Sequence, residues 1–517
     1  MRDLFRTKPL AQLLAEADSE GTHGLKRTLG PWNLLSLGVG AIIGAGIFVL
    51  VGTAAARHAG PGIVLSFLLA GLGCAFAGLC YAEFASLIPV AGSAYTYGYA
   101  TLGELFAWII GWDLVLEYAF SAAGIASGWG GTLSSLFRDF GWGLDGRWLH
   151  TPGTALAWHQ GHWSDVAGLQ ATGVDVAGLA RTGAWFNLPA FLLVGALSAL
   201  LIRGVKESAT FNTVVVMLKV ATVLVFIGLA AIFLFRNPEV RAANWHPFIP
   251  PNTGAFGSFG WSGIARGAGL IFFAYIGFDS VSTAAQEAKH PQRDMPIGIL
   301  GSLAVCTVLY VLLGGLLTGV VHYTRLDVAA PVALGADTTG VGWGRILIKV
   351  GSLLGMSTAV LVTLLGQSRV FFSMSRDGLL PPWVGRVHPR WRTPALAQAG
   401  VGLFVATFGA LIPIHVIGEL VSIGTLLAFV IVCAGVWVLR LRQPDLPRAF
   451  RTPLVPFVPL MGIAISLLLM ASLPADTWLR LVVWLAAGLG LYFGYGRRHS
   501  RLRADAPAES VPLEALP

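Results

Sequence analysis

The stretch Gly38-Val39-Gly40-Ala41-Ile42-Ile43-Gly44-Ala45-Gly46-Ile47-Phe48 is the most informative part of this chain. It lies within an apolar run, residues 33–52, and about 20 such residues are enough for a helix to cross a bilayer. Four glycines within nine residues weaken a helix, by about 1 kcal/mol each relative to alanine. The stretch is equally consistent with a break in the helix and with close packing of a neighbouring helix against small residues.

A second apolar run, residues 263–285, favours the break. It contains Ile271-Phe272-Phe273-Ala274-Tyr275-Ile276-Gly277-Phe278-Asp279-Ser280, in which a glycine and a carboxylate interrupt a series of aromatic residues. The two runs are the first and sixth along the chain, and they correspond if the chain consists of two inverted repeats of five helices. Interruptions in corresponding helices of two halves indicate the binding site of a secondary transporter. We therefore expect helices 1 and 6 to be broken.

The composition of the whole chain is that of a membrane protein. Of 517 residues, 55% are hydrophobic and only 12% are charged, whereas soluble domains carry about 25% charged residues. We predict an all-α integral membrane fold with about 12 transmembrane helices. Residues 28–440 would form a ten-helix core, and residues 441–496 helices 11 and 12. Residues 1–27 lack the apolar segment of a signal peptide and are expected to be a cytoplasmic leader, with a tail at 497–517.

The net charge of +8 comes from Lys and Arg residues scattered over the short segments between apolar runs. Most of them fall on the side of both termini, so the positive-inside rule predicts that both termini of this multi-pass protein are cytoplasmic. We expect the protein to lie in the cell (inner) membrane. A nucleic-acid partner would instead require a basic face. The loop at about 137–185 would face outward. Its residues His150, His159 and His162 lack a Cys or carboxylate to complete a four-ligand zinc set, so we predict no metal and no cofactor.

A broken helix is suited to a zwitterion. The start of one half-helix offers N–H groups and a positive dipole end, which bind a carboxylate. The end of the other half-helix offers C=O groups, which accept hydrogen bonds from an ammonium. An α-amino acid carries both charges a short distance apart. Unpaired backbone at this depth is tolerated only where it lines a cavity or meets a ligand.

Several segments together resemble the amino acid–polyamine–organocation (APC) superfamily, and most closely the bacterial branch of the cationic amino acid transporter family. They are GAIIGAGIF at 40–48, GSAYTY at 92–97, GWDLVLEY at 111–118, GFDSVST at 277–283, PQRDMP at 291–296 and SMSRDG at 373–378. The resemblance runs from about residue 25 to 495. It implies a LeuT-like 5+5 inverted-repeat core with two further C-terminal helices, which works by alternating access.

The resemblance also implies roles for individual residues. The N–H groups of Gly44, Ala45 and Gly46 would bind the substrate carboxylate, and the Phe273 ring would act as a gate. The α-ammonium would be met by the backbone carbonyls of four residues: Ile42, Phe273, Ala274 and Ile276. Many bacterial relatives carry Thr where this chain has Ala45, so one hydroxyl contact is missing here.

Four of the ionisable residues within the predicted helices are candidates for a functional role. Lys219 costs about 2.5–3.5 kcal/mol to insert near mid-helix. Proton-coupled relatives carry a Lys at this place, where sodium-coupled relatives bind Na⁺, so the implied role of Lys219 is proton coupling through contacts with helices 1 and 8. Asp113 and Glu117 share one face of helix 3. Glu117 would contact a substrate side chain or handle protons, or else form a structural hydrogen bond. Asp279 is expected first to cap the second half of helix 6, and second to act on substrate or protons.

These observations favour an α-amino acid permease, by proton-coupled symport, with cationic amino acids as one substrate class. An exchanger and a permease for small neutral amino acids are the alternatives. A membrane enzyme would need a nucleophile–base pair or a metal cluster in the helices, and the sequence offers neither. A nutrient sensor would need a soluble output domain. The sequence leaves open an additional small single-span subunit, the oligomeric state and the direction of transport.

Overall fold

A computed structural model describes residues 2–9, 29–90, 92–171, 173–203, 209–391 and 393–504 of the chain. Most of the predicted leader and the end of the predicted tail lie outside these residues. Within them the protein is helical apart from one small sheet, as the sequence predicts. Eight helical runs are long and apolar enough to cross a membrane, and three shorter apolar helices accompany them.

The helices are numbered α1 to α12 after the predicted spans. Their bounds are Pro31–Ile42 and residues 46–59 (α1), Ile63–Leu87 (α2), Glu104–Asp139 (α3), Leu188–Arg203 (α4), Ala209–Arg236 (α5), Gly260–Ile271 and Asp279–Glu287 (α6), Pro291–Val320 (α7), Gly342–Arg376 (α8), Ala395–Leu411 (α9), Ile414–Arg442 (α10), Phe457–Ser472 (α11) and Ala475–His499 (α12). Shorter helices lie between them at Ser93–Thr101, Val166–Ala171, Pro238–Asn244 and Pro331–Thr338.

The apolar run at 100–136 is too long for one straight span across a bilayer, and in the structure a turn divides it. A short helix ends at Thr101 and α3 begins at Glu104. Gly103 lies between them with φ +107°, a conformation that only glycine adopts without strain. A Cβ at this position would lie 2.5 Å from the backbone of Phe5, so the turn also packs directly on the N-terminal segment.

Both described ends of the chain lie at the same end of the helical bundle. The Lys8 ammonium is 3.0 Å from the Asp377 carboxylate, which follows α8, and the Arg501 N–H donates to the Asp377 carbonyl at 3.1 Å. The first and last segments therefore meet beneath the end of α8.

The predicted external loop is a small folded unit at the opposite end of the bundle. It contains β1 (Ala155–His159), β2 (His162–Asp165) and β3 (Arg181–Gly183) in the antiparallel order β2-β1-β3. Arg138 at the end of α3 pairs with Asp165 at 2.7 Å and so attaches the sheet to the bundle.

Buried side chains hold the bundle together, and they include all four cysteines, Cys74, Cys80, Cys306 and Cys433. One buried charge cluster joins α2 to α10. Glu83 is 1% exposed, accepts hydrogen bonds from Arg440 at 2.9 and 3.0 Å, and lies 3.1 Å from the Arg448 guanidinium. Removing one member of such a cluster typically costs 3–5 kcal/mol, because a buried charge loses its partner.

Candidate substrate site

Helix α1 is broken in the middle of the glycine-rich stretch. Its first half ends at Ile42, and Ile43 is extended, with ψ 100°. The second half begins with Phe48 N–H bonding to the Gly44 carbonyl at 3.4 Å. The N–H groups of Gly44, Ala45 and Gly46 belong to the first turn of this half, where backbone donors have no acceptor within the helix. Donors in this arrangement are suited to a carboxylate, and the expected role of these three residues stays a prediction.

Helix α6 is broken at the corresponding place. After Ile271 the chain forms a 3₁₀ turn over Phe272–Tyr275, and Ile276 is extended, with ψ 135°. Gly277 has φ +118°, and a Cβ there would lie 2.9 Å from the Ala41 backbone. Glycine is therefore required at 277 both for the backbone conformation and for the close approach to α1.

The two breaks lie against each other. A Cβ at Gly46 would lie 2.3 Å from the Ala274 Cα, so α1 and α6 touch through their backbones. The Tyr310 hydroxyl of α7 lies 2.9 Å from the Ile42 carbonyl oxygen and 3.0 Å from that of Ala274. Both carbonyls belong to the set expected to meet the α-ammonium. Sequence reasoning missed Tyr310. The available signal was a phenol in an apolar run, since a buried tyrosine hydroxyl usually needs a partner.

The Phe273 ring lies between α3 and α10, and only 5% of the residue is exposed. A Cβ at Gly124 would lie 3.5 Å from this ring, and one at Gly418 would lie 3.9 Å from it. Two glycines on facing helices thus provide room for an aromatic side chain beside both breaks. This position is compatible with the expected gate, which stays a prediction.

Lys219 of α5 points into the break of α1. Its ammonium donates to the Gly40 carbonyl at 2.7 Å and lies 3.4 Å from the Ile43 carbonyl oxygen. Its aliphatic stem passes α8, because a Cβ at Gly355 would lie 3.3 Å from the lysine Cγ. The side chain is 1% exposed and does not reach an interface. Lys219 therefore links α5, α1 and α8.

A group of buried acidic residues lies on the other side of the α6 break. Asp279 accepts hydrogen bonds from the Tyr118 hydroxyl at 3.1 Å and from the Gly277 N–H at 3.3 Å. The donating N–H lies in the break, so this carboxylate stabilises the break. Asp279 also lies in the first turn of the second half of α6, and its expected capping role stays a prediction.

Asp113 and Glu117 are each 1% exposed, and they lie four residues apart on α3. Within the described residues neither Asp113 oxygen has a hydrogen-bond partner, nor has Oε1 of Glu117. A buried charge is stabilised by a partner or a ligand. These two groups are therefore suited to hold a proton or to meet a cation.

The histidines of the external unit do not converge on one point. His159 and His162 face each other across the hairpin, while His150 contacts the Ser134 hydroxyl at 3.0 Å. Among the residues that the structure describes, no group of three or more His, Cys, Asp or Glu could hold a metal ion.

Comparison with known proteins identifies the class of protein that carries this site. The family model described as amino acid permease matches residues 29–487. The chain belongs to the amino acid permease family. Within the APC superfamily, the permease is 45% identical to the branched-chain amino acid permease BcaP of Bacillus subtilis (strain 168), over 96% of this chain and 99% of that protein.

Other relatives have different named substrates. The permease is 42% identical to the methylthioribose transporter of the same organism, over 97% of this chain and 100% of that protein. It is 36% identical to the vacuolar cationic amino acid transporter 4 of Arabidopsis thaliana, over 83% of this chain and 65% of that protein. The permease is thus a multi-pass membrane transporter of the amino acid permease type and not an enzyme.

Proposed function

We propose that this permease carries α-amino acids across the inner membrane by proton-coupled symport. The core would be a 5+5 inverted repeat that alternates access, with both termini cytoplasmic. One observation supports this more than any other: two helix breaks touch each other and present opposite backbone polarity. The N–H groups at Gly44–Gly46 suit the substrate carboxylate. The carbonyls of Ile42 and Ala274, bridged by Tyr310, suit its ammonium.

Lys219 is the proposed coupling residue. Its ammonium sits where the carbonyls of Gly40 and Ile43 would otherwise be unsatisfied, so its charge supports the broken conformation of α1. Loss of the proton would weaken these bonds and release α1 from α5 and α8. Protonation from one side and release to the other would then couple the proton gradient to the movement of α1.

The acidic group supports a cationic substrate. Glu117 and Gly124 are seven residues apart on α3, which corresponds to about 10 Å along a helix. Gly124 faces the Phe273 ring beside the breaks. A Lys or Arg bound by its backbone groups at the breaks could extend its charged end toward Glu117.

A specific observation supports branched-chain substrates as the second candidate. The space beside Gly44 is apolar, since a Cβ there would lie 3.5 Å from the Ala359 methyl group and 3.9 Å from Ile125. The relative named as a branched-chain amino acid permease agrees with such a pocket. In that case Glu117 would serve proton handling alone.

Uptake into proteoliposomes separates these alternatives. Radiolabelled arginine, lysine, leucine and alanine are supplied with an inward proton gradient, with a sodium gradient or with internal amino acid. We expect uptake above equilibrium under the proton gradient, and strict sodium dependence would contradict the proposal. Uptake only against internal amino acid would instead indicate an exchanger. We further expect Lys219→Ala to retain binding and exchange but to lose proton-driven accumulation. Lys349→Ala is the control for loss of another buried lysine, one that pairs with Asp139 near the start of α8.

A further inference from the structure

We propose that the permease binds one anionic phospholipid in a surface groove between the start of α7 and the segment before α11. The groove has a volume of about 580 Å³ and is lined by Gln292, Arg293, Pro296, Ile297, Leu300, Ala449 and Phe450. This volume lies in the range of about 300–1,000 Å³ that is usual for small-molecule sites. The lining is apolar except at one end, where Arg293 and Gln292 stand.

The apolar part of the groove continues along the outside of α7. Ile297, Val305, Val308 and Leu312 are exposed, the last three by 39%, 59% and 44%. Their spacing of three, four or eight residues places them on one face of the helix. This stripe faces lipid in a membrane-spanning helix, and it begins where the groove ends. An acyl chain that lies along the stripe would therefore enter the groove with its headgroup end.

Charge selects the headgroup. Arg293 is exposed at the mouth of the groove, one turn before Ile297, and Arg451 is exposed next to the lining residue Phe450. Neither arginine has an ion-pair partner among the residues that the structure describes. The acidic residues nearby are already engaged: Asp294 is buried and accepts the His290 N–H at 3.3 Å, and Glu83 is buried, binds Arg440 and Arg448, and accepts the Thr452 N–H at 2.8 Å. The exposed Arg293 guanidinium group beside an apolar channel is complementary to a lipid phosphate, which arginine binds in a bidentate manner.

The groove lies at the end of the bundle that carries both described ends of the chain. The α6 segment just before α7 ends at Glu287, whose carboxylate pairs with Arg369 of α8 at 3.0 Å, and α8 ends beside the N- and C-terminal segments. Basic pockets between helices on the cytoplasmic side are typical sites for anionic lipid headgroups. The site is separate from the helix breaks, so it would affect stability or conformation rather than substrate recognition.

Native mass spectrometry of the full-length, detergent-purified permease tests this proposal. Dioleoyl phosphatidylglycerol and dioleoyl phosphatidylcholine are added separately, and bound lipid is counted per protein. We expect one phosphatidylglycerol to bind more tightly than phosphatidylcholine. Arg293→Gln should weaken phosphatidylglycerol binding roughly fivefold, the factor for about 1 kcal/mol per arginine near an anionic surface. Arg390→Gln, an exposed arginine on a loop outside the groove, should leave it unchanged.

A second variant tests the apolar channel without removing charge. Leu300→Trp fills the groove and should weaken binding of both lipids, while the melting temperature and gel-filtration profile establish that each variant is folded. Equal binding of the two lipids, or equal effects of Arg293→Gln and Arg390→Gln, would overturn the proposal. So would displacement of the lipid by excess inorganic phosphate, which would indicate a phosphate site, or a lipid-free dimer that covers the groove.

Discussion

The contact between the two helix breaks makes Gly46→Ala the most decisive substitution. The new Cβ would lie 2.3 Å from the Ala274 Cα, 2.5 Å from its Cβ and 2.9 Å from its nitrogen. These atoms belong to the backbone or are attached to it, so no side chain can rotate away. Restoring ordinary contact at about 3.4 Å requires α1 and α6 to separate by about 1.1 Å, and overpacking of this kind typically costs 1–3 kcal/mol.

The separation would also displace the N–H groups and carbonyls from their common ligand. A misplacement of about 1 Å can lower a rate by roughly 100-fold. We expect Gly46→Ala to reduce initial uptake at least roughly tenfold and to lower the melting temperature. Uptake is measured in proteoliposomes with matched protein content, and stability by thermal unfolding in detergent.

Two alanine substitutions serve as controls. A Cβ at Gly44 meets nothing closer than 3.5 Å, so Gly44→Ala should preserve stability even though it lies in the same break. Gly228→Ala on α5 meets nothing within 4 Å and should preserve both stability and uptake. If Gly46→Ala transports and unfolds like the wild-type protein, the two helices are not in contact as described, and the proposed substrate site loses its basis.

Three further predictions concern stability. Glu83→Gln leaves the buried Arg448 without its carboxylate and should lower the free energy of unfolding by about 3 kcal/mol; a change below about 1 kcal/mol in denaturant or thermal unfolding would contradict this. Burial lowers the pKa of His150 below its usual value, with an opposing effect of Asp165 and a supporting effect of Arg138. The free energy of unfolding should therefore keep its full value above about pH 6.5 and decrease as the pH falls below that value. Melting curves at pH 8 and pH 5.5 should show a smaller difference for His150→Gln than for the wild-type protein. Tyr310→Phe removes the hydroxyl that meets both breaks and should cost about 1 kcal/mol; an unchanged melting curve would mean that the two carbonyls find another donor.

The sequence predicts the two breaks because their causes are local. Glycines within 38–46 and a glycine and a carboxylate within 277–279 oppose a continuous helix wherever they occur in an apolar run. Lys219 was predictable for a similar reason, because an ammonium in a membrane-spanning helix needs acceptors. It finds them at the broken backbone of α1, in the carbonyls of Gly40 and Ile43.

Other features depend on contacts between distant parts of the chain. No local pattern indicates that the Tyr310 hydroxyl meets carbonyls of both α1 and α6. The external sheet was predicted only as a loop, since strands of three to five residues carry too little periodicity to be recognised. The sequence also does not predict the position of the turn at Gly103, because its conformation is fixed by the N-terminal segment packed against it.

The burial of all four cysteines has a practical consequence. Each thiol is enclosed by the helical bundle, so polar maleimide reagents should not react with the folded wild-type protein. A cysteine introduced on the external sheet or beside Asp377 would then be the single reactive position. Pairs of such positions can carry fluorophores for single-molecule measurements of opening and closing, without prior replacement of the native cysteines.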